Sequence, residues 1–181
     1  MTPPPLPPDV RARCDAIRRE HGDAIRRFIQ RRLRSDEVDD VEAEVWSGVV
    51  AAVASGAEPD NPRAFALAIA RRRVVDVWRR RPPGEDRDVA DLAENPALSA
   101  VTTPTGRIAR REAAAALREA IASLGPAERE VLELRFVDGL KPAEIAEILG
   151  DSPNTVSKRV GRAVERLAEA LRGHPALSGP R

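Results

Sequence analysis

Three short stretches hold most of the side chains that could do chemistry. Between Arg63 and Arg81 there are seven arginines and one acid, Asp76, a local charge of +6. Between Asp36 and Glu44 there are six acids and no base. After Ser152 come Asn154, Thr155, Ser157, Lys158, Arg159 and Arg162, a run of polar and basic groups. Guanidinium forks match phosphate and carboxylate oxygens two at a time, and amide, hydroxyl and basic groups reach the edges of bases. A block of carboxylates fits a basic partner. This is binding chemistry. Nothing supplies a reaction centre: the chain has no Gly-rich phosphate loop, no His-Glu-x-x-His and no paired cysteine ligands. His21 and His174 are far apart, and Cys14 with His21 is too sparse a set for a metal. The expectation is a non-enzyme with no catalytic residue, no metal, no cofactor and no small-molecule substrate.

The elements that carry these groups follow from periodicity and punctuation. The first nine residues are proline-rich and predict an extended, disordered arm. From Val10 to Leu33, Ile17, Ala24, Ile25, Phe28, Ile29 and Leu33 fall at helical spacing. The acidic stretch opens a second helix, with Val38, Val41, Val45, Val49 and Val53 repeating every three to four residues. Gly56, Pro59 and Pro62 mark a loop. A third helix, from about Arg63 to Arg81, ends at Pro82-Pro83-Gly84. It places Leu67, Ala70, Val74, Val77 and Trp78 on one buried stripe and Arg72, Arg73, Asp76, Arg79 and Arg80 elsewhere. Asp76 is placed to tether Arg72 and Arg80 four residues to either side. Trp78 fits core packing better than stacking on a base, because it lies within the apolar stripe.

Residues 82–106 show weak periodicity, and Glu85 to Glu94 holds five acids and one arginine. They predict a flexible acidic linker with an r.m.s. span of roughly 25–30 Å. Helical signals resume from Ile108 to Leu124 and from Pro126 to Val137. Pro142–Leu149 then predicts a short helix with Gly150 as its C-cap. Ser152-Pro153 offers an N-cap and a first-turn proline for a last helix along Val156, Val160, Val164, Leu167 and Leu171. Short helix, glycine turn and longer helix make a helix-turn-helix pattern, with a generic helical hairpin as the alternative. At about 100° per residue, Asn154, Lys158, Arg162 and Glu165 lie opposite the valines, flanked by Thr155 and Arg159. A solvated face would look the same, but the helix-turn-helix spacing favours DNA. The fold class is therefore all-α: two small helical domains, 10–81 and 107–172, joined by a flexible linker, with a tail at 173–181.

Composition bounds the rest. The chain has 181 residues, 30 Lys+Arg against 29 Asp+Glu, and a formal net charge of +1. Hydrophobic residues make up 42% and charged residues 33%, enough apolar content to fold. Aromatics at 3%, with no tyrosine, argue against an aromatic-rich β fold. One cysteine excludes an internal disulfide and agrees with a reducing cytoplasm. No apolar run approaches membrane-spanning length, and the N-terminus lacks the regions of a signal peptide, so no membrane insertion is expected. The near-zero total is a cancellation of local blocks, so it excludes a uniformly basic DNA binder but not a bridge between a protein and DNA.

Two segments resemble a known family. Asp39-Asp-Val-Glu-Ala-Glu-Val-Trp46, followed by Pro62 through Arg81, is similar to conserved region 2 of bacterial RNA polymerase sigma factors of the sigma-70 superfamily, extracytoplasmic-function (ECF) type. Leu124 through Gly150, continuing through Thr155-Val-Ser-Lys-Arg159, is similar to their region 4. The resemblance implies that Asp39, Asp40, Val41, Glu44 and Val45 bind core RNA polymerase. It implies that the Ser55–Pro62 loop and the arginine-rich helix hold the −10 element, through Asn61, Arg63, Arg72, Arg73, Asp76, Arg79 and Arg80. It further implies that the helix from Ser152 reads the −35 element through Ser152, Asn154, Thr155, Ser157, Lys158, Arg159 and Arg162. Promoter DNA and core polymerase would be the partners, catalysis would belong to the polymerase, and the chain would be cytoplasmic. Relatives are often held inactive by an anti-sigma factor, which the resemblance admits as a further partner.

The chain departs from the family pattern at four places. Its Ser55–Pro62 loop has no aromatic, Arg72 stands where Asn is common, and Ser157 and Lys158 are in reversed order. Asp151 follows Gly150 where relatives carry an apolar residue, which would loosen the packing of the turn. Two rival readings use fewer of these features: a stand-alone helix-turn-helix transcriptional regulator, and a helical adaptor with no DNA function.

Overall fold

The computed structural model describes residues 6–81 and 107–172. The expected linker 82–106, the tail 173–181 and the first five residues of the arm lie outside the described residues. Every regular element among the described residues is helical. The chain divides into an N-terminal and a C-terminal compact unit.

The N-terminal unit holds α1 (Pro8–Gln30), α2 (Ser35–Ala54) and α3 (Pro62–Arg80). Helix α1 starts at Pro8, inside the stretch expected to be a disordered arm, because a proline at the first helical position is already set at helical φ and lacks only an N–H the helix does not use. Its buried residues run from Val10 and Cys14 through Ile25, Phe28 and Ile29. The valine stripe of α2 faces inward, with Val38, Val41, Val45, Val49 and Val53 all buried, and α2 packs on α3, whose Leu67, Ala70 and Val74 are buried too. Each helix packs on the other two. Gly48 lets α3 pack tightly on α2, since a Cβ there would stand 3.1 Å from Ile69 Cγ2. Gly48→Leu is expected to destabilise this unit by about 1–3 kcal/mol through overpacking, read as a lower melting temperature. Burial pushes the Cys14 thiol up from its ordinary value, with the nearby Asp15 charge adding to the shift. A raised pKa means less thiolate at neutral pH, so Cys14 should resist a thiol reagent at pH 7 in the native protein and react on unfolding.

The C-terminal unit holds α4 (Arg107–Ser123), α5 (Pro126–Leu132), α7 (Pro153–Arg172) and, as far as Ala146, α6 (Pro142–Leu149). Leu117 and Ile121 of α4, Leu132 of α5, and Ala163, Leu167 and Leu171 of α7 form its core. The pattern expected as one helix over Pro126–Val137 changes pitch at Glu133, where a π turn runs to Val137. The Asp138 N–H reaches back to the Glu133 carbonyl at 2.9 Å, and the Leu140 N–H to that of Leu134 at 3.0 Å. Gly139, at φ +67°, lets the chain reverse so that Leu134 and Leu140 both point inward. Arg135 Nη1 donates to the Leu140 carbonyl at 3.1 Å and closes the turn.

Candidate nucleic-acid and protein interfaces

Helix α2 carries the acidic block, and the structure divides it. Arg26 of α1 donates to Asp39 at 2.8 Å and also binds Glu42. These hydrogen bonds, Asp39's first, raise the Arg26 guanidinium above its ordinary pKa. Glu42 also accepts from the Trp46 indole at 3.3 Å. Glu44 pairs with Arg73 of α3 at 3.6 Å, which relieves its repulsion from Asp40 one turn earlier. Glu37 accepts from the backbone N–H of Arg34 at 3.0 Å, helping to cap α2, and pairs with Arg81. Asp36 lies 3.8 Å from Arg34. Asp40 alone of the six engages no partner among the described residues, and it is exposed. Val41 and Val45, expected on the docking surface, are 5% and 0% exposed. They belong to the core and orient the acids beside them, as their place in the valine repeat requires.

Helix α3 opens on Asn61, whose side-chain oxygen accepts from the Ala64 N–H at 3.0 Å. That oxygen caps the helix, leaving the amide NH₂ for other contacts. Arg72, Arg73, Asp76, Arg79 and Arg80 share one arc opposite the core, since their spacings return to the same side at about 100° per residue. Arg63, nine residues before Arg72, falls about half a rotation away and is half-buried. The structure does not bring it to the arginine arc. Asp76 meets Arg79 at 3.9 Å rather than Arg72 and Arg80. Arg72 and Arg80 are therefore exposed with no partner among the described residues. Trp78 is half-buried and donates its indole N–H to the Arg32 carbonyl at 3.1 Å, which ties α3 to the end of α1 rather than freeing the ring for a base. Asp40, Glu44, Val77 and Arg80 line an open cleft of about 500 Å³ between α2 and α3, so the acidic and basic faces adjoin.

The loop between α2 and α3 is anchored from a distance. Arg13 of α1 donates to the Ala57 carbonyl at 2.8 Å and pairs with Glu58 at 3.4 Å. Local sequence contains no signal for this contact, because 44 residues separate donor and acceptor.

In the C-terminal unit, Gly150 adopts φ +70°, and the Asp151 N–H returns to the Ala146 carbonyl at 2.9 Å, closing α6. Ser152 Oγ accepts from the Thr155 N–H at 3.1 Å and lies 2.8 Å from Thr155 Oγ1. Ser157 donates back to the Pro153 carbonyl at 2.9 Å. Ser152, Thr155 and Ser157 are thus already at work starting the helix. Asn154, Lys158 and Arg162 are exposed and engage no partner among the described residues. Arg159 does: its Nη1 stands 2.9 Å from Asp151 Oδ2. The expected loosening of the turn by Asp151 is not seen, because both its backbone and its carboxylate are satisfied.

A helical unit with adjoining acidic and basic faces, and a second unit presenting a helix-turn-helix, are what transcription initiation subunits carry. Comparison with known proteins agrees. Residues 17–82 match the family described as Sigma-70 region 2, and residues 114–167 match Sigma-70, region 4. The chain is 33% identical over 168 residues to the ECF RNA polymerase sigma factor ShbA of Streptomyces griseus subsp. griseus, covering 88% of this chain and 87% of that protein. It is 32% identical over 146 residues to the ferric citrate uptake sigma factor FecI of Escherichia coli K12, covering 80% and 83%. Among solved structures, CnrH in complex with the cytosolic domain of CnrY is similar at TM-score 0.57 and 25% identity, over 88% of this chain and 87% of that one. The chain belongs to the sigma-70 family, in its ECF branch, and acts in promoter recognition for RNA polymerase.

Proposed function

We propose that the two units divide the work of initiation between the faces described above. Asp40, with Asp39 and Glu44 beside it, docks on a basic surface of core RNA polymerase. Arg72, Arg79 and Arg80, flanked by Arg73 and Asp76, hold the backbone of the separated −10 strand, while the Arg13-anchored loop and the Asn61 amide border it. The N-terminal part of α7 enters the major groove at the −35 element, with Asn154 and Arg159 toward the bases and Lys158 and Arg162 toward the flanking phosphates. Catalysis belongs to the polymerase, and the chain works in the cytoplasm. No described helix is long and apolar enough to cross a membrane. CnrH is held by the cytosolic domain of CnrY, and an anti-sigma partner for this chain is part of the same proposal.

The observation that carries this reading is the sorting of exposed charge by sign: Asp40 among the carboxylates of α2, Arg72 and Arg80 among the arginines of α3, and Lys158 and Arg162 on the outward face of α7, each exposed and with no partner among the described residues. The test is a holoenzyme binding assay on promoter fragments with and without the −35 element. Asn154→Ala with Lys158→Ala should weaken binding about tenfold or more on the complete promoter and leave binding to the fragment lacking −35 unchanged. Equal weakening on both fragments would remove α7 from −35 reading. Tight binding to a duplex operator without polymerase would support a stand-alone regulator instead.

A further inference from the structure

The Asp151–Arg159 pair lies where the turn of the helix-turn-helix meets its second helix. We propose that Arg159 is a specificity-determining residue that reads a guanine in the −35 element, and that Asp151 is the positioning residue that holds it; this rests on the assignment of α7 to the −35 major groove. Asp151 is fixed before DNA arrives, because Gly150 at φ +70° sets the turn and the Asp151 N–H is bound to the Ala146 carbonyl at 2.9 Å. Its carboxylate then holds Arg159 Nη1 at 2.9 Å, with the two side chains 28% and 31% exposed. A half-buried ion pair at this distance draws the Arg159 guanidinium toward the turn. The ion pair lies at one terminal nitrogen and leaves the edge made by Nε–H and the other terminal nitrogen. Two parallel donors on that edge match O6 and N7 of guanine. An unrestrained arginine must lose its rotamer freedom on binding, and Asp151 removes part of that loss beforehand.

The charge balance distinguishes this role from phosphate binding. Asp151 and Arg159 together are neutral, so the pair adds little to the attraction for the DNA backbone. Lys158 and Arg162, exposed and with no partner among the described residues, supply that attraction. A carboxylate beside an arginine that merely clamps phosphate would weaken the clamp. Beside one that reads a base, it helps to fix the geometry. The division expected is therefore Lys158 and Arg162 for affinity, and Arg159 with Asp151 for sequence preference.

The experiment selects promoters from a library randomised over the −35 element, using holoenzyme built from the full chain. Wild-type, Asp151→Asn, Arg159→Ala, the double variant, and Lys158→Ala with Arg162→Ala are compared, and each melting temperature is recorded. Wild-type should show a guanine preference at one position. Asp151→Asn and Arg159→Ala should each reduce that same preference about fivefold or more, and the double variant should lose no more than Arg159→Ala alone. Lys158→Ala with Arg162→Ala should weaken all sequences alike and leave the preference in place. The proposal is overturned if Asp151→Asn strengthens binding uniformly, which marks a phosphate clamp, or lowers the melting temperature with the preference intact, which marks a turn-packing role. A wild-type holoenzyme indifferent to every −35 base would overturn the α7 assignment as well, whereas an intact preference insensitive to Asp151 and Arg159 overturns the pair's role alone.

Discussion

Asp40→Arg combined with Glu44→Arg is expected to abolish assembly with core RNA polymerase while the N-terminal unit stays folded. Asp40 is exposed and meets no partner among the described residues, so its replacement breaks no internal contact. Glu44 gives up one ion pair with Arg73, in which both side chains are well exposed and the separation is 3.6 Å, a contact of small weight for the fold. Against a basic docking surface, two attractions become two repulsions. Like charges brought together at an interface cost several kcal/mol, so affinity for core should fall about 100-fold or more. Val41 and Val45 provide the contrast. They are buried, and Val45→Ala should lower stability by about 1–3 kcal/mol while the fraction that remains folded binds core normally. Separating the two outcomes needs a melting curve beside a core-binding titration.

The second large effect lies on α3. Arg72→Ala, Arg79→Ala and Arg80→Ala together should leave core binding intact and remove stable opening of the −10 region. The three guanidinium groups share the arc that faces away from the core, and only Arg79 has a described acidic neighbour, Asp76 at 3.9 Å. Each phosphate contact to a single strand contributes about 0.7 to the slope of log affinity against log salt, so the triple variant should lower that slope by about 2. The effect should be independent of −35 sequence. Loss of opening with an unchanged salt slope would place these arginines in base reading rather than on the backbone.

Much of this was legible along the chain. The valine repeat of α2, the Gly150 turn and the Ser152-Pro153 start of α7 are local signals, and they found the helices and the helix-turn-helix. What the sequence could not place are contacts between helices. Arg26 lies 13 residues from Asp39, and Arg81 lies 44 from Glu37, so neither pair leaves a periodic trace. Those pairs decide which charges stay available, and among the described residues they leave one carboxylate of the six, Asp40, without a partner. The π turn after Leu132 was equally hidden, because its apolar residues suit either pitch and only the inward demand of both Leu134 and Leu140 selects the wider one. Ser152, Thr155, Ser157 and Asn61 have side chains suited to DNA, yet the same hydroxyls and amides cap helices, and composition cannot distinguish the two uses. Val41 and Val45 show the opposite failure. Their period already placed them in the core, and only the family resemblance moved them to the surface.

The central claim is that one chain links polymerase to promoter through faces of opposite charge. Run-off transcription with purified core polymerase tests it most directly, using candidate promoters that include the region upstream of the chain's own coding sequence. The account predicts a discrete transcript that requires the chain, disappears with Asp40→Arg and Glu44→Arg, and disappears with the α3 arginine triple. A promoter-specific transcript that survives both sets of substitutions, or the absence of any chain-dependent transcript alongside tight operator binding without core, would contradict it.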